Sequence, residues 1–319
     1  MKKLFNFALY DFANSAFTTI IITFIFATYF AKQIAPNPIL GQSYWGWAIG
    51  ITGLLVALIG PLLGSFADKK NCTGLFIKLF TIICIILTSF LWFSKPSEKY
   101  LFYTLIIVGL ANFFYELSII FYNSILKKIS SSKNLGKSSG FGFALGYIGG
   151  ILILIVCIKI FIDNDTLPFG LTKENSENIR ATSIVVALWY LIFSMPFLFS
   201  LKKEIKNKID RSSNSIKKIK NLIWNKGLNN LGKFLIARML YADGLNAIII
   251  MGGIFAVGVF NLEIKDLLIL SVLMNITAFI GAIVGGYAND KFTSKSVIIL
   301  SLVGLIVSSA IILFIKAKI

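Results

Sequence analysis

Phe5-Asn6-Phe7-Ala8-Leu9-Tyr10-Asp11-Phe12-Ala13-Asn14-Ser15 opens an apolar run that continues to Ala31. A helix needs about 20 apolar residues to cross the hydrocarbon core of a bilayer, and this run is long enough. It is too long for a signal peptide, and no small-residue cleavage site follows it. Yet it carries a carboxylate and a carboxamide. On insertion scales a charge at the centre of such a helix costs about 2.5–3.5 kcal/mol, and it is retained where it faces protein or water. Asp11 is therefore a candidate functional residue. The plainer reading is a carboxylate near a helix end that reaches the interface.

The rest of the chain agrees with a membrane setting. Hydrophobic residues make up 57% of 319 and the mean hydropathy is +0.83. Soluble domains sit near about 45–50% apolar and lack repeated runs of this length. The net charge of +17 does not read as nucleic-acid binding, because the lysines fall between the apolar runs. Cys72, Cys84 and Cys157 lack metal-ligand or redox spacing. There is no histidine, so a proton relay must use carboxylates. No phosphate loop or nucleophile motif appears, so neither a cofactor nor an enzymatic role is expected.

Nine spans are predicted, at about 7–31, 44–66, 75–93, 100–122, 139–162, 181–200, 233–260, 267–288 and 297–315. Helices are expected because each segment must satisfy its own backbone polar groups in lipid. Barrel strands would alternate over about 10 residues, which these runs do not. With the N-terminus inside, the inner segments hold 21 Lys and Arg and the outer segments eight, Arg180 among them in the loop before the sixth span. That bias predicts a cytoplasmic N-terminus. The expected organisation is a six-helix bundle over 1–200, a basic cytoplasmic linker over 201–232 and a three-helix partial bundle over 233–319. In the linker, Ile216, Ile219, Leu222 and Ile223 recur at helical spacing among lysines. This reads either as an amphipathic helix on the anionic leaflet or as a solvated linker.

Two features recur across the linker. Asp11 and Asn14 in the first span match Asp243 and Asn246 in the seventh, each D-x-x-N placing two side chains on one helix face. Gly60-x-x-x-Gly64 followed by Asp68-Lys69 matches Gly281-x-x-x-Gly285 followed by Asp290-Lys291. Two pairs in the same order argue for duplicated halves with a solute path between them. Gly142, Gly146 and Gly150 recur every four residues in the fifth span. Such small-residue rows let helix backbones approach, either as fixed packing or as a face on which helices slide.

The segment at 60–69 resembles the loop signature between the second and third helices of the major facilitator superfamily, whose acid helps hold the cytoplasmic gate shut. Asp68 and Asp290 stand at that acid, with Lys69 and Lys291 beside them. Lys70-Asn71-Cys72-Thr73 stands where further arginines are usual. A narrower match covers four blocks: the helix around Ala8–Phe17, Phe121-Tyr122-Asn123-Ser124, Ser139–Gly150, and Ala237-Arg238-Met239-Leu240-Tyr241-Ala242-Asp243-Gly244. These are similar to the vacuolar amino-acid effluxer (autophagy-related) family and its bacterial relatives. Lys127 departs from that pattern, where proline is usual. The resemblance implies a membrane transporter of about twelve spans, and in fungal members export of amino acids.

Polar residues inside the spans fall on three helices. Asp11, Asn14, Ser15 and Thr18 form one stripe. Asn112, Glu116 and Asn123 share a face of the fourth span, with Tyr115 beside it. Asp243 and Asn246 share a face of the seventh, with Tyr241 near and Arg238 nearer its end. The expectation is that these line a cavity. Arg238 is suited to a substrate carboxylate or to pairing with an acid, and Glu116 is the candidate carrier of a coupling proton. The alternative for each is a fixed ion pair that orients helices. Asp11, nearer its helix end than Asp243, is expected at a vestibule or gate.

The function expected is secondary transport of a small solute by alternating access, in the inner membrane of a bacterium. The rivals are a truncated or degraded transporter and a non-transporting scaffold, because nine spans rather than twelve leave the second half short of a wall. Substrate, direction, coupling ion and oligomeric state are not legible in the sequence.

Overall fold

The computed structural model describes residues 2–164, 166–201, 224, 227, 229–260 and 264–316, with the side chains at 246, 247, 249–260, 264–271, 313, 315 and 316 outside that description. Nine long helices occur among the described residues. They are α1 (Lys2–Ile34), α2 (Pro38–Lys70), α3 (Thr73–Phe93), α4 (Glu98–Ile129), α5 (Ser132–Ile162) and α6 (Glu174–Ser200), then α7 (Asn230–Phe260), α8 (Ile264–Lys291) and α9 (Ser294–Lys316). All except α7 contain a stretch long and apolar enough to cross a membrane; α7 falls partly outside the described side chains. The chain is an all-helical, multi-pass membrane protein. The amphipathic segment read at 216–223 lies outside the described residues.

Local chemistry sets the helix ends. The Asn37 side chain accepts from the Leu40 amide at 2.9 Å, and Pro38 occupies the first turn, where its missing N–H costs nothing. Asn71 ends α2 in the left-handed region at φ 50°. Asparagine tolerates that conformation better than most side chains. The helix α1 winds as a π-helix over Phe17–Phe24 and again over Phe30–Ile34. Such widened turns are uncommon and recur at functional sites.

The chain divides into two compact units. One holds α1–α6 with Ala278–Gly286 of α8; the other holds α7, the remainder of α8 and α9. The boundary thus departs from the six-and-three division of the sequence by taking one segment of α8 into the first unit. Within the first unit, α1 packs against α5 and α6, while α4 packs against α2 and α3. The core around α1 is aromatic. Tyr122 stacks between Phe7 and Tyr10 at 4.1 and 4.7 Å between ring centroids, and Phe197 meets the same three rings from α6. Aromatic pairs at these separations add about 0.5–1.5 kcal/mol beyond their buried area.

The α1–α5 contact explains the glycine row. A Cβ at Gly149 would stand 2.3 Å from the Phe12 carbonyl oxygen, one at Gly146 2.9 Å from Ser15 Oγ and one at Gly150 2.8 Å from Thr19 Oγ1. None of these distances admits a methyl group. Also within the first unit, a Cβ at Gly140 would lie 2.3 Å from the Ala282 carbonyl oxygen, and one at Gly286 2.6 Å from that of Gly136. The second glycine motif contributes less than its spacing suggests. At Gly64, Gly281 and Gly285 a Cβ would meet nothing within 4 Å, and at Gly60 only Ile120 at 3.4 Å. On α8 the close approach falls one residue further on, at Ala282 and Gly286, because that face of the helix is the one turned to α5.

Candidate functional site

The polar stripe of α1 is clasped from two sides. The Tyr122 hydroxyl of α4 lies 2.7 Å from Asp11 Oδ2 and 2.9 Å from the Phe7 carbonyl oxygen. The Asn14 side-chain amide donates to Asp11 Oδ1 at 3.4 Å, and Ser15 donates to the Asp11 carbonyl oxygen at 2.7 Å. On the α5 side, Gly142 leaves room for the carboxyl: a Cβ there would stand 2.6 Å from Asp11 Oδ2. Asp11 is half-buried and Asn14 is buried. The D-x-x-N spacing therefore does bring its two side chains together, as one helical turn requires.

Beside this clasp lies a buried hydroxyl cluster that the sequence does not announce. The Tyr10 hydroxyl meets Thr81 Oγ1 at 2.6 Å, Ser118 Oγ at 3.1 Å and the Tyr190 hydroxyl at 3.1 Å. Four helices, α1, α3, α4 and α6, meet at one phenol, with Tyr10, Thr81, Ser118 and Tyr190 all at 0% exposure. In sequence these residues read as ordinary members of apolar spans. The one signal was that Tyr10 falls within a family-like block.

The α4 stripe does not act as one face. Asn112 is buried and donates to Thr52 Oγ1 of α2 at 2.9 Å, which commits it to helix packing. Glu116 is half-buried and Asn123 is exposed. On α7, Arg238 and Asp243 are exposed and Tyr241 is half-buried. Arg238 Nη1 donates to the Tyr241 hydroxyl at 3.2 Å, one helical turn away. The side chain of Asn246 lies outside the described residues. Tyr241 and Gly244 of α7 line an apolar pocket of about 410 Å³ against Leu302, Leu305 and Ser309 of α9. At the helix ends, Asp68, Lys69 and Lys291 are exposed and Asp290 is half-buried. Lys291 Nζ sits 5.7 Å from the Phe292 ring centroid.

Arg180 was counted in the sequence as a loop charge, and the structure places it in the protein. It is 3% exposed at the start of α6. Its guanidinium lies 4.7 Å from the Trp92 ring centroid, and Nη2 is 3.8 Å from Glu177 Oε1. Stacking on an indole suits a guanidinium better than an ammonium.

A family model described as vacuole effluxer Atg22 like matches residues 127–315. The chain is 26% identical to an uncharacterized MFS-type transporter, YxiO, of Bacillus subtilis, over 95% of this chain and 71% of that protein. It is 25% identical to autophagy-related protein 22-1 of Aspergillus fumigatus, over 49% of this chain and 26% of that one. Among solved structures, the major facilitator superfamily proton:xylose symporter XylE superposes with a TM-score of 0.50 at 15% identity, covering 93% of this chain and 68% of that chain.

Proposed function

The chain belongs to the vacuole effluxer Atg22-like family, within the major facilitator superfamily, and from that premise we propose that it is a secondary active transporter. It moves a small solute by alternating access, and amino acids are the first class to test, because the matching family model is described as a vacuole effluxer and the family resemblance implies amino-acid export in fungal members. The observation that carries this reading is Asp11. A carboxyl on a membrane-spanning helix, held by a tyrosine and an asparagine, is retained at a cost that an inert anchor would not need.

In this reading Asp11 and Asn14 belong to the vestibule or gate of the first half. Glu116 is the carrier of a coupling proton. Asn123, Tyr241, Asp243 and Asn246 line the path, and Arg238 meets an anionic substrate group. Asp68-Lys69 and Asp290-Lys291 serve as gating loops. The lysine distribution supports a cytoplasmic N-terminus in a bacterial plasma membrane. Beyond the bilayer and its solute the reading calls for neither nucleic acid nor cofactor.

Reconstitution into proteoliposomes tests it. A panel of radiolabelled amino acids is offered with and without an imposed pH gradient. At least one solute is expected to exchange, with gradient-driven uptake that Glu116→Gln abolishes. Asp11→Asn is expected to lower that uptake about tenfold, equivalent to about 1.4 kcal/mol in the barrier. Absence of exchange across amino acids, sugars and small organic acids would overturn the transporter reading. Unchanged coupling in Glu116→Gln would remove Glu116 from its role alone.

A further inference from the structure

Tyr122 has two acceptors and one hydrogen. Its hydroxyl oxygen is 2.9 Å from the Phe7 carbonyl oxygen and 2.7 Å from Asp11 Oδ2. A phenol carries a single proton, a carbonyl oxygen carries none, and an ionised carboxylate carries none. With Asp11 ionised, the two short oxygen–oxygen contacts have one hydrogen to share, so neither is a full hydrogen bond or one is bare. With a proton on Asp11 Oδ2, both are filled: the carboxyl donates to Tyr122, and Tyr122 donates to Phe7.

The surroundings hold the phenol in that place. Tyr122 is 1% exposed, and its ring is fixed between Phe7 and Tyr10. The stack fixes where the phenol oxygen sits, within reach of both acceptors. Among the described residues, the titratable groups around Asp11 supply no cation. The helix α4 presents Tyr122, with Tyr115 further off. The helix α5 presents Gly142 and Gly146. The helix α6 turns Tyr190 to Tyr10. On α1 itself, Asn14 and Ser15 are the neighbours. The Asn14 amide satisfies Oδ1 in either protonation state.

We propose that Asp11 carries a proton in this conformation and that Tyr122 is the positioning residue: its phenol oxygen accepts from the neutral carboxyl while its own hydrogen is donated to the Phe7 carbonyl oxygen. The chain Asp11–Tyr122–Phe7 ties α1 to α4 with two hydrogen bonds when the carboxyl is neutral. Loss of the proton leaves one hydrogen for the two contacts. Proton binding at Asp11 thus closes this seam, and proton loss loosens it. The proton is read from the geometry alone; only its use in transport rests on the transporter reading.

Infrared spectroscopy of the purified full chain at neutral pH tests this without any transported solute. Aspartate labelled with ¹³C separates its carboxyl bands from those of glutamate in the unaltered protein. The expected result is a protonated-aspartate carbonyl band that Asp11→Asn removes and Glu116→Gln leaves in place. Tyr122→Phe is expected to keep the band and shift it to higher frequency, because the carboxyl loses its hydrogen-bond acceptor. A purely structural tyrosine would not move that frequency. A labelled wild-type protein with no protonated-aspartate band overturns the proposal even if a variant fails to fold. So does a band that survives in Asp11→Asn. A band without solute exchange keeps the proton and removes the transporter reading.

Discussion

Asp11 and Asp243 open the same D-x-x-N spacing, yet their surroundings have little in common. Asp11 is gripped by Tyr122, Asn14 and a glycine cradle inside a packed aromatic core. Asp243 is exposed on α7, between an exposed Arg238–Tyr241 hydrogen bond and Gly244, at which a Cβ would meet nothing within 4 Å. A motif of two polar residues fixes only which side chains share a helix face. What the face touches is decided by the partner helix. Here α5 supplies glycines opposite α1, which lets the backbones close to contact, and the core around Tyr122 follows from that approach.

The widest separation between the two regions is expected from glycine. Gly149→Ala places a methyl group 2.3 Å from the Phe12 carbonyl oxygen, which is backbone and cannot rotate away. Overpacking of this kind costs about 3 kcal/mol and should lower the thermal unfolding midpoint of the purified protein clearly. Gly244→Ala, in a helix with open space, should be neutral or stabilise by about 0.5–1 kcal/mol through reduced backbone entropy. Equal responses would show that α7 is packed as tightly as α1 and would end the contrast.

The hydroxyl cluster gives the next step down. Tyr10→Phe leaves Thr81, Ser118 and Tyr190 without a shared partner in a site closed to water. A loss of about 1–2 kcal/mol is expected, since unmade buried hydrogen bonds cost roughly that much. Asp243→Asn, at an exposed side chain, should stay within about 0.5 kcal/mol. Chemical denaturation in detergent, with both variants side by side, measures the difference.

These contrasts also mark how far the sequence could be read. The helices were legible because lipid demands long apolar runs, but not their ends: α2 was read at about 44–66 and runs from Pro38 to Lys70, between caps at Asn37 and Asn71. Asp11 with Asn14 was legible because an intramembrane carboxylate is costly and one helical turn brings the pair together. The glycine row of α5 was legible as a close approach, but not its partner, since spacing carries no information about the opposing helix. For the same reason the row at 281–285 was read one residue out of register. Tyr10, Tyr122 and Tyr190 were hidden in another way: a tyrosine in an apolar span looks like a large core residue until its hydroxyl finds partners on other helices. Arg180 was misread as a loop charge because its buried setting depends on Trp92, distant in sequence.

The smallest expected effect separates two environments for α7. Tyr241→Phe removes one acceptor, the phenol that receives a hydrogen bond from Arg238 Nη1 at 3.2 Å. If the exposed guanidinium reaches water or headgroups, those replace the lost partner, and stability should change by less than about 0.5 kcal/mol. If it sits in hydrocarbon, no replacement exists and the loss should exceed about 1 kcal/mol. The exposure of Arg238 and its place near the start of α7 favour the first outcome. A small change by thermal unfolding in lipid nanodiscs would therefore keep Arg238 available to a solute, as the transport reading requires. A large one would fix it as a structural partner of Tyr241 and make the α7 motif less a site than a second packing device.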